Sequence, residues 1–178
     1  MSWKREPLDE EELQQLIEAA ESDSMSNEFI IRVLAHTGLR VGEFCAMRSS
    51  WVDWQAELLR VPAEEGDWSP KSSAGARSIP LKDPDTIRVM REFFKRNDSI
   101  PWTRSTVYRR VVSVAAQTDV KRKVTPHVLR HTYGSLIASR GATAQYIRQT
   151  MGHATIESSQ NYLQYHGATL QSEADELW

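Results

Sequence analysis

Cysteine is nearly missing from this chain: 178 residues contain a single thiol, Cys45. One thiol excludes an internal disulfide and any cysteine-rich zinc cluster. Long apolar runs are missing too. No stretch reaches the roughly 18 apolar residues that suggest a membrane-crossing helix. The opening MSWKREPLDEEEL is acidic and lacks the apolar centre of a secretory signal. There is no Walker-type phosphate loop, no internal repeat and no long linker. What is present suits one cytoplasmic domain: 40% hydrophobic residues for a core and 26% charged residues to keep it in solution.

The formal net charge of −2 conceals a steep gradient along the chain. Residues 1–70 hold 6 Lys/Arg against 15 Asp/Glu, residues 71–150 hold 16 against 5, and residues 151–178 hold none against 4. A surface that attracts polyanions needs local potential rather than net charge, and the middle segment can supply it. The competing reading is that acidic and basic segments neutralise each other in the fold.

Periodicity predicts a mainly helical chain interrupted by a small sheet. Leu8, Leu13, Ile17 and Ala20 mark one face of a first helix behind Pro7 and the Asp9–Glu12 acid cluster, which complements a helix N-terminus. A second helix is expected over Ser26–Ala35 with Gly38 as its stop, and a third over Arg40–Met47. The short apolar runs Trp51–Trp54, Leu58–Val61 and Arg77–Leu81, separated by turn-prone stretches, predict a three-stranded antiparallel sheet. Helical patterns return over Pro84–Lys95, Ser105–Gln117, His127–Ser139, Ala144–Met151 and Thr155–Tyr165, with a polar tail helix from about Thr169. Thr125-Pro126 has the N-cap and N1 chemistry of a helix start.

Four local features carry candidate chemistry. Thr37-Gly38-Leu39-Arg40-Val41-Gly42-Glu43 puts Arg40 at a turn between helices, with Glu43 as a support for that turn. Lys71 lies in the loop before the third strand, which reads Arg77-Ser78-Ile79-Pro80-Leu81. Thr125-Pro126-His127-Val128-Leu129-Arg130-His131 places His127 and Arg130 three apart, on one side of a helix. Met151-Gly152-His153 is followed nine residues later by Tyr162. Singly, each has an ordinary explanation: a solvated cap, a surface lysine, a core aromatic. His127 and His131 have the i, i+4 spacing of two metal ligands, but no third ligand sits nearby in sequence. Tyr133 and Tyr146 suit the cores of their helices, Cys45 suits the core, and Lys121-Arg122-Lys123 suits either phosphate contacts or a solvated turn.

Together and in this order, the set Arg, Lys, His-x-x-Arg, Gly-His, Tyr resembles the signature of the tyrosine recombinase (phage integrase) family. The surrounding text HTGLRVGE, RSIPL, TPHVLRHTYGS and MGHATIESSQNYLQY resembles it as well, from the first helix through Tyr162. The resemblance implies a mainly α catalytic domain with a small three-stranded antiparallel sheet, spanning residues 1–178 with a core over about 8–165 and a tail helix over 166–178. It implies cleavage and rejoining of double-stranded DNA through a 3′-phosphotyrosyl bond, without ATP, metal or other cofactor. Arg40 and Arg130 would clamp the phosphate, Tyr162 would attack it and His127 would take the phenol proton. His153 would hydrogen-bond a non-bridging oxygen, and Lys71 would protonate the leaving 5′-oxygen. Tyr165, three residues further on, is the weaker nucleophile.

Most relatives in this family carry a separate helical N-terminal domain that grips the other face of the DNA, and this chain opens almost directly into the catalytic portion. The expectation is a homotetramer on two duplexes, monomeric when free, with no membrane association. A binding-only relative of the same fold and a type IB topoisomerase are the alternatives.

Overall fold

The computed structural model describes residues 6–70 and 72–153. The expected Thr155–Tyr165 and tail helices, and the residues Lys71, Tyr162 and Tyr165, lie outside the described residues.

Seven helices and three strands follow one another along the described chain. Helix α1 (Glu10–Asp23) begins with a reciprocal cap: Asp9 accepts from the Glu12 amide at 2.7 Å, and Glu12 accepts from the Asp9 amide at 3.1 Å. Leu8 is therefore not part of the helical face. It precedes the cap, in the position from which a hydrophobic residue staples against Leu13, and both are buried. Helix α2 (Met25–Thr37) is capped by Ser24 and stopped by Gly38, whose φ of 69° is the left-handed conformation that glycine adopts without strain. Helix α3 (Val41–Ala46) follows at once.

The sheet is smaller than the apolar runs suggested. Strands β1 (Val52–Asp53), β2 (Leu58–Val61) and β3 (Arg77–Pro80) pair antiparallel in the order β1-β2-β3. Leu59 pairs with Val52 on one side and Ile79 on the other. The expected first strand loses its start because Ser49–Trp51 forms a 3₁₀ turn. That turn drives the Trp51 indole into the core, tilted on Trp68 at 5.5 Å between ring centroids. Helices α4 (Pro84–Phe94), α5 (Arg104–Ala115), α6 (Pro126–Ser139) and α7 (Ala144–Met151) complete the domain. Asp83, Thr103, Thr125 and Thr143 are their N-caps, each accepting from a backbone amide in the first turn.

Helix α2 is the axis of the molecule, packed by α1, α4, α5 and α6. Every residue from Asn27 to Ala35 is buried, including polar Asn27, Glu28 and Arg32. A helix enclosed on all sides must pair its charges, because an isolated buried ion is costly. Glu28 accepts from Arg32 at 2.9 Å and from Arg88 of α4 at 2.6 Å, while Arg110 of α5 donates to the Asn27 side chain at 3.0 Å. The apolar half of the same helix is centred on Phe29, stacked on Phe93 at 4.1 Å and tilted toward Phe44 at 5.7 Å.

Phe29→Ala removes the ring shared by α2, α3 and α4 and leaves a cavity. The expected cost is about 3–5 kcal/mol of unfolding free energy, measured by urea denaturation. A loss below about 1 kcal/mol would mean that this packing does not organise the core.

Candidate active site

The site is assembled where two helices stop. At the end of α2, Gly38 turns the chain so that Leu39 plugs the core and Arg40 becomes the N-cap of α3. The Tyr133 ring occupies the space that a Cβ on Gly38 would need, so glycine is required by contact as well as by conformation. Glu43, at the third position of α3, accepts from the Arg40 amide at 2.8 Å and fixes this turn. The Arg40 guanidinium reaches from the turn toward α7, with Nη2 donating to the Gly152 carbonyl at 3.4 Å. Its side chain remains 36% exposed.

Helix α6 supplies the next two groups. Thr125 and Pro126 set its start, and His127 and Arg130 then point to the same side. Arg130 is buried, donating to the carbonyls of Gly38 and, at 2.7 Å, Met151. His127 is exposed and packs edge-to-face with His131 at 4.5 Å between ring centroids. Among the described residues no third carboxylate, thiol or imidazole joins that pair in a metal-holding group.

Helix α7 ends like α2, with Gly152 at a φ of 70°. The next residue, His153, is half-buried. Burial, then the charges of Arg130, Arg40, Arg77 and His131, pull its pKa from 6.5 down to about 4. Its imidazole is therefore neutral at physiological pH, able to donate one hydrogen bond and accept another.

Arg40, His127 and Arg130 line one cleft of about 360 Å³, together with Trp68, Ser69 and Arg104. The cleft adjoins a groove of about 790 Å³ whose walls include Arg104, Tyr108, Arg109, Lys123 and His127. Three of the four described candidates, Arg40, His127 and Arg130, thus share one cleft, and His153, outside its lining, lies close enough to Arg130 and Arg40 to feel their charges. Whether Lys71 and Tyr162 join them lies outside the described residues.

Two arginines belong to this region that the motif reading gave no role. Arg77 forms a buried bidentate pair with Glu43, at 2.6 and 2.9 Å, and its Nε donates to the Thr150 carbonyl at 2.8 Å. Glu43 consequently stays ionised: burial opposes its charge, but the bonds from Arg77 and the Arg40 amide overcome burial and lower its pKa. The available signal was register, since Arg77 and Ile79 share the inward face of β3 while Ser78 faces out. Arg104 lies flat on the α3 backbone, where a Cβ on Gly42 would meet its guanidinium at 2.5 Å.

Two expectations shift, for Arg122 and Tyr146, and the one for Tyr133 holds. Arg122 is held by the Pro7 carbonyl at 2.8 Å and by Glu6 and Glu12 at 3.1 and 3.3 Å, so it ties down the start of α1 while Lys123 lines the groove. Tyr133 is buried, its phenol pushed up to about 12 chiefly by burial. Tyr146, by contrast, is 39% exposed, because Ile147 takes the inward position of α7 one residue later.

The model of the phage integrase family matches residues 6–167. Tyrosine recombinase XerA of Pyrococcus furiosus is 27% identical over 168 residues, covering 87% of this chain and 56% of that protein. Tyrosine recombinase XerC of Listeria innocua is 27% identical over 165 residues, covering 85% of this chain and 55% of that protein. The chain therefore spans little more than half the length of these curated relatives. Among solved structures, XerA recombinase superposes with a TM-score of 0.77 at 28% identity, over 99% of this chain and 65% of that one. The Tn1549 transposon integrase in complex with transposon right end DNA shares the fold, with a TM-score of 0.76 at 20% identity over 99% of this chain and 67% of that one. The catalytic domain of bacteriophage HP1 integrase shares it too, with a TM-score of 0.66 at 20% identity over 97% and 95% of the two chains.

The depressed His153 pKa has a thermodynamic consequence. The unfolded chain takes up this proton near pH 6.5 and the folded chain only near 4, so the stabilising contribution is complete above 6.5 and is lost as pH falls toward 4. Urea unfolding at a series of pH values should show this decline, and His153→Asn should make it shallower. It should not vanish, because burial lowers the His36 pKa in the same direction. An unchanged pH slope in His153→Asn would refute the assignment.

Proposed function

Because this chain belongs to the phage integrase family, we propose that it is the catalytic domain of a site-specific recombinase that cuts and rejoins double-stranded DNA. The observation that carries the reading is the convergence of Arg40, His127 and Arg130 on one cleft, with His153 beside the two arginines. A phosphodiester brings a negative charge that grows on its non-bridging oxygens during displacement. Guanidinium groups answer it with paired donors that stay charged at any working pH.

In this mechanism the Tyr162 oxygen attacks phosphorus and gives its proton to His127. The bond from phosphorus to the 5′-oxygen breaks, and Lys71 supplies the proton that the leaving oxygen takes up. The product is a 3′-phosphotyrosyl bond and a free 5′-hydroxyl. Attack by another 5′-hydroxyl reverses each step, so the broken bond's energy is retained in the protein–DNA link and no ATP is consumed. Arg40 and Arg130 hold the non-bridging oxygens, and His153, neutral at this pH, donates a further hydrogen bond to one of them. Arginines occupy the charge-neutralising role that metal ions play in many nucleases. The duplex backbone runs along the adjoining groove, where Arg104, Arg109 and Lys123 form no ion pair among the described residues. Residues 1–178 act as one domain, with a core over about 8–165 and a tail over 166–178. Free protein is monomeric, and four copies assemble on two duplexes for strand exchange.

Covalent capture tests the reading. The protein is mixed with fragmented genomic DNA in EDTA without ATP, denatured, and examined for DNA that stays attached. Adducts with the wild type and none with Tyr162→Phe are expected. Adducts that persist in Tyr162→Phe move the nucleophile to Tyr165, and none in either refutes cleavage by this chain. Arg130→Lys should slow adduct formation by about 10²–10³-fold, the loss typical of one oxyanion donor. A slowing of less than about tenfold would remove Arg130 from the phosphate.

A further inference from the structure

Arg77 opens β3 with its side chain only 4% exposed, opposite a Glu43 side chain that is 5% exposed. All three guanidinium nitrogens donate. Nη1 and Nη2 hold the two Glu43 carboxylate oxygens, Nη1 also reaches the Gly75 carbonyl at 2.7 Å, and Nε reaches the Thr150 carbonyl at 2.8 Å. These acceptors lie on three segments distant in sequence. Glu43 fixes the backbone turn from which Arg40 projects. Thr150 belongs to the last turn of α7, just before His153, and a Cβ on Gly152 would meet Arg77 Nη1 at 2.9 Å. Gly75 belongs to the hairpin loop that contains Lys71 in sequence. At this burial Arg77 has little surface from which to touch DNA, so an influence on cleavage has to pass through other residues.

We infer that Arg77 is the positioning residue of the cleft, setting Arg40 through Glu43 and His153 through the Thr150 carbonyl so that both meet one phosphate. The inference rests on the DNA cleavage proposed above. The fork geometry of a guanidinium is what this role needs. A lysine ammonium carries the charge, but it cannot bracket a carboxylate and reach a carbonyl on the opposite side. Displacing a catalytic group by about 1 Å costs on the order of 10²-fold in rate even when binding is intact.

Two variants test this. In the double variant Arg77→Met with Glu43→Gln no buried charge is left unpaired, and the side-chain amide oxygen introduced at position 43 can still accept from the Arg40 backbone N–H. Arg77→Lys keeps the charge beside Glu43 and provides the test if the neutral pair does not fold. Single-turnover cleavage of duplexes recovered by covalent capture should fall about 100-fold in the double variant, with duplex Kd within about threefold of wild type. Arg77→Lys should not restore the rate. Cleavage within about threefold of wild type in a folded variant overturns the inference. So does a loss of DNA affinity large enough to account for the whole loss of rate. If the wild type forms no adduct, the proposed function fails separately, and the ring signals of His153 in ¹H–¹³C spectra decide the positioning role without DNA. Displaced in the variant while those of His36 stay in place, they uphold it; unmoved, they end it.

Discussion

Among the described residues, the guanidinium groups of Arg40, Arg77 and Arg130 are served by one paired carboxylate, Glu43, and the site depends on how that excess of positive charge is tolerated. Backbone carbonyls answer much of it. Arg130 donates to Gly38 and Met151, Arg40 to Gly152, and Arg77 to Thr150 and Gly75. Four of these five acceptors sit at the C-terminal ends of α2 and α7, where unsatisfied carbonyls carry the negative end of the helix dipole. A carbonyl satisfies a donor without cancelling a full charge. The arginines are therefore held in place while much of their positive potential remains available to an anion; after burial, their charges are what lowers the His153 pKa.

The charge gradient along the chain resolves on the same terms. The acidic first third neutralises part of the basic middle: Glu28 takes Arg88, Glu43 takes Arg77, and Glu6 with Glu12 takes Arg122. These pairs clip α4 to α2, the hairpin to α3, and the turn before α6 to the start of α1. Arg104, Arg109 and Lys123 are not among those neutralised, and all three face the groove beside the cleft. Pairing and a basic surface, which looked like alternatives in the sequence, coexist because different residues serve each.

What could be read in advance was local. Gly38 announced a helix end, Thr125-Pro126 announced a helix start, and the spacing from His127 to Arg130 fixed a shared face; all of these hold in the structure. Relationships between distant segments were not legible. Arg77 and Glu43 are 34 positions apart, and nothing in either neighbourhood names the other. Arg122 looked like a phosphate contact because its partners, Glu6 and Glu12, lie more than a hundred positions upstream. The Trp51–Trp54 run scanned as a strand, yet burying the Trp51 indole against Trp68 pulled its first residue into a 3₁₀ turn. Tyr146 was misassigned by a single helical position, a rotation of about 100° that exchanges core for solvent.

Because Arg130 donates to the Gly38 and Met151 carbonyls, substitution of neighbouring side chains does not remove those two acceptors. A carboxylate partner disappears with one codon; a carbonyl disappears only if the chain takes another path. For these carbonyl bonds, mutational fragility lies with the two glycines that steer the path. At Gly38 a side chain would collide with Tyr133, and at Gly152 with Arg77 and the Ala74 carbonyl. The carbonyl half of the arginines' support is thus guarded at two positions that carry no side chain at all.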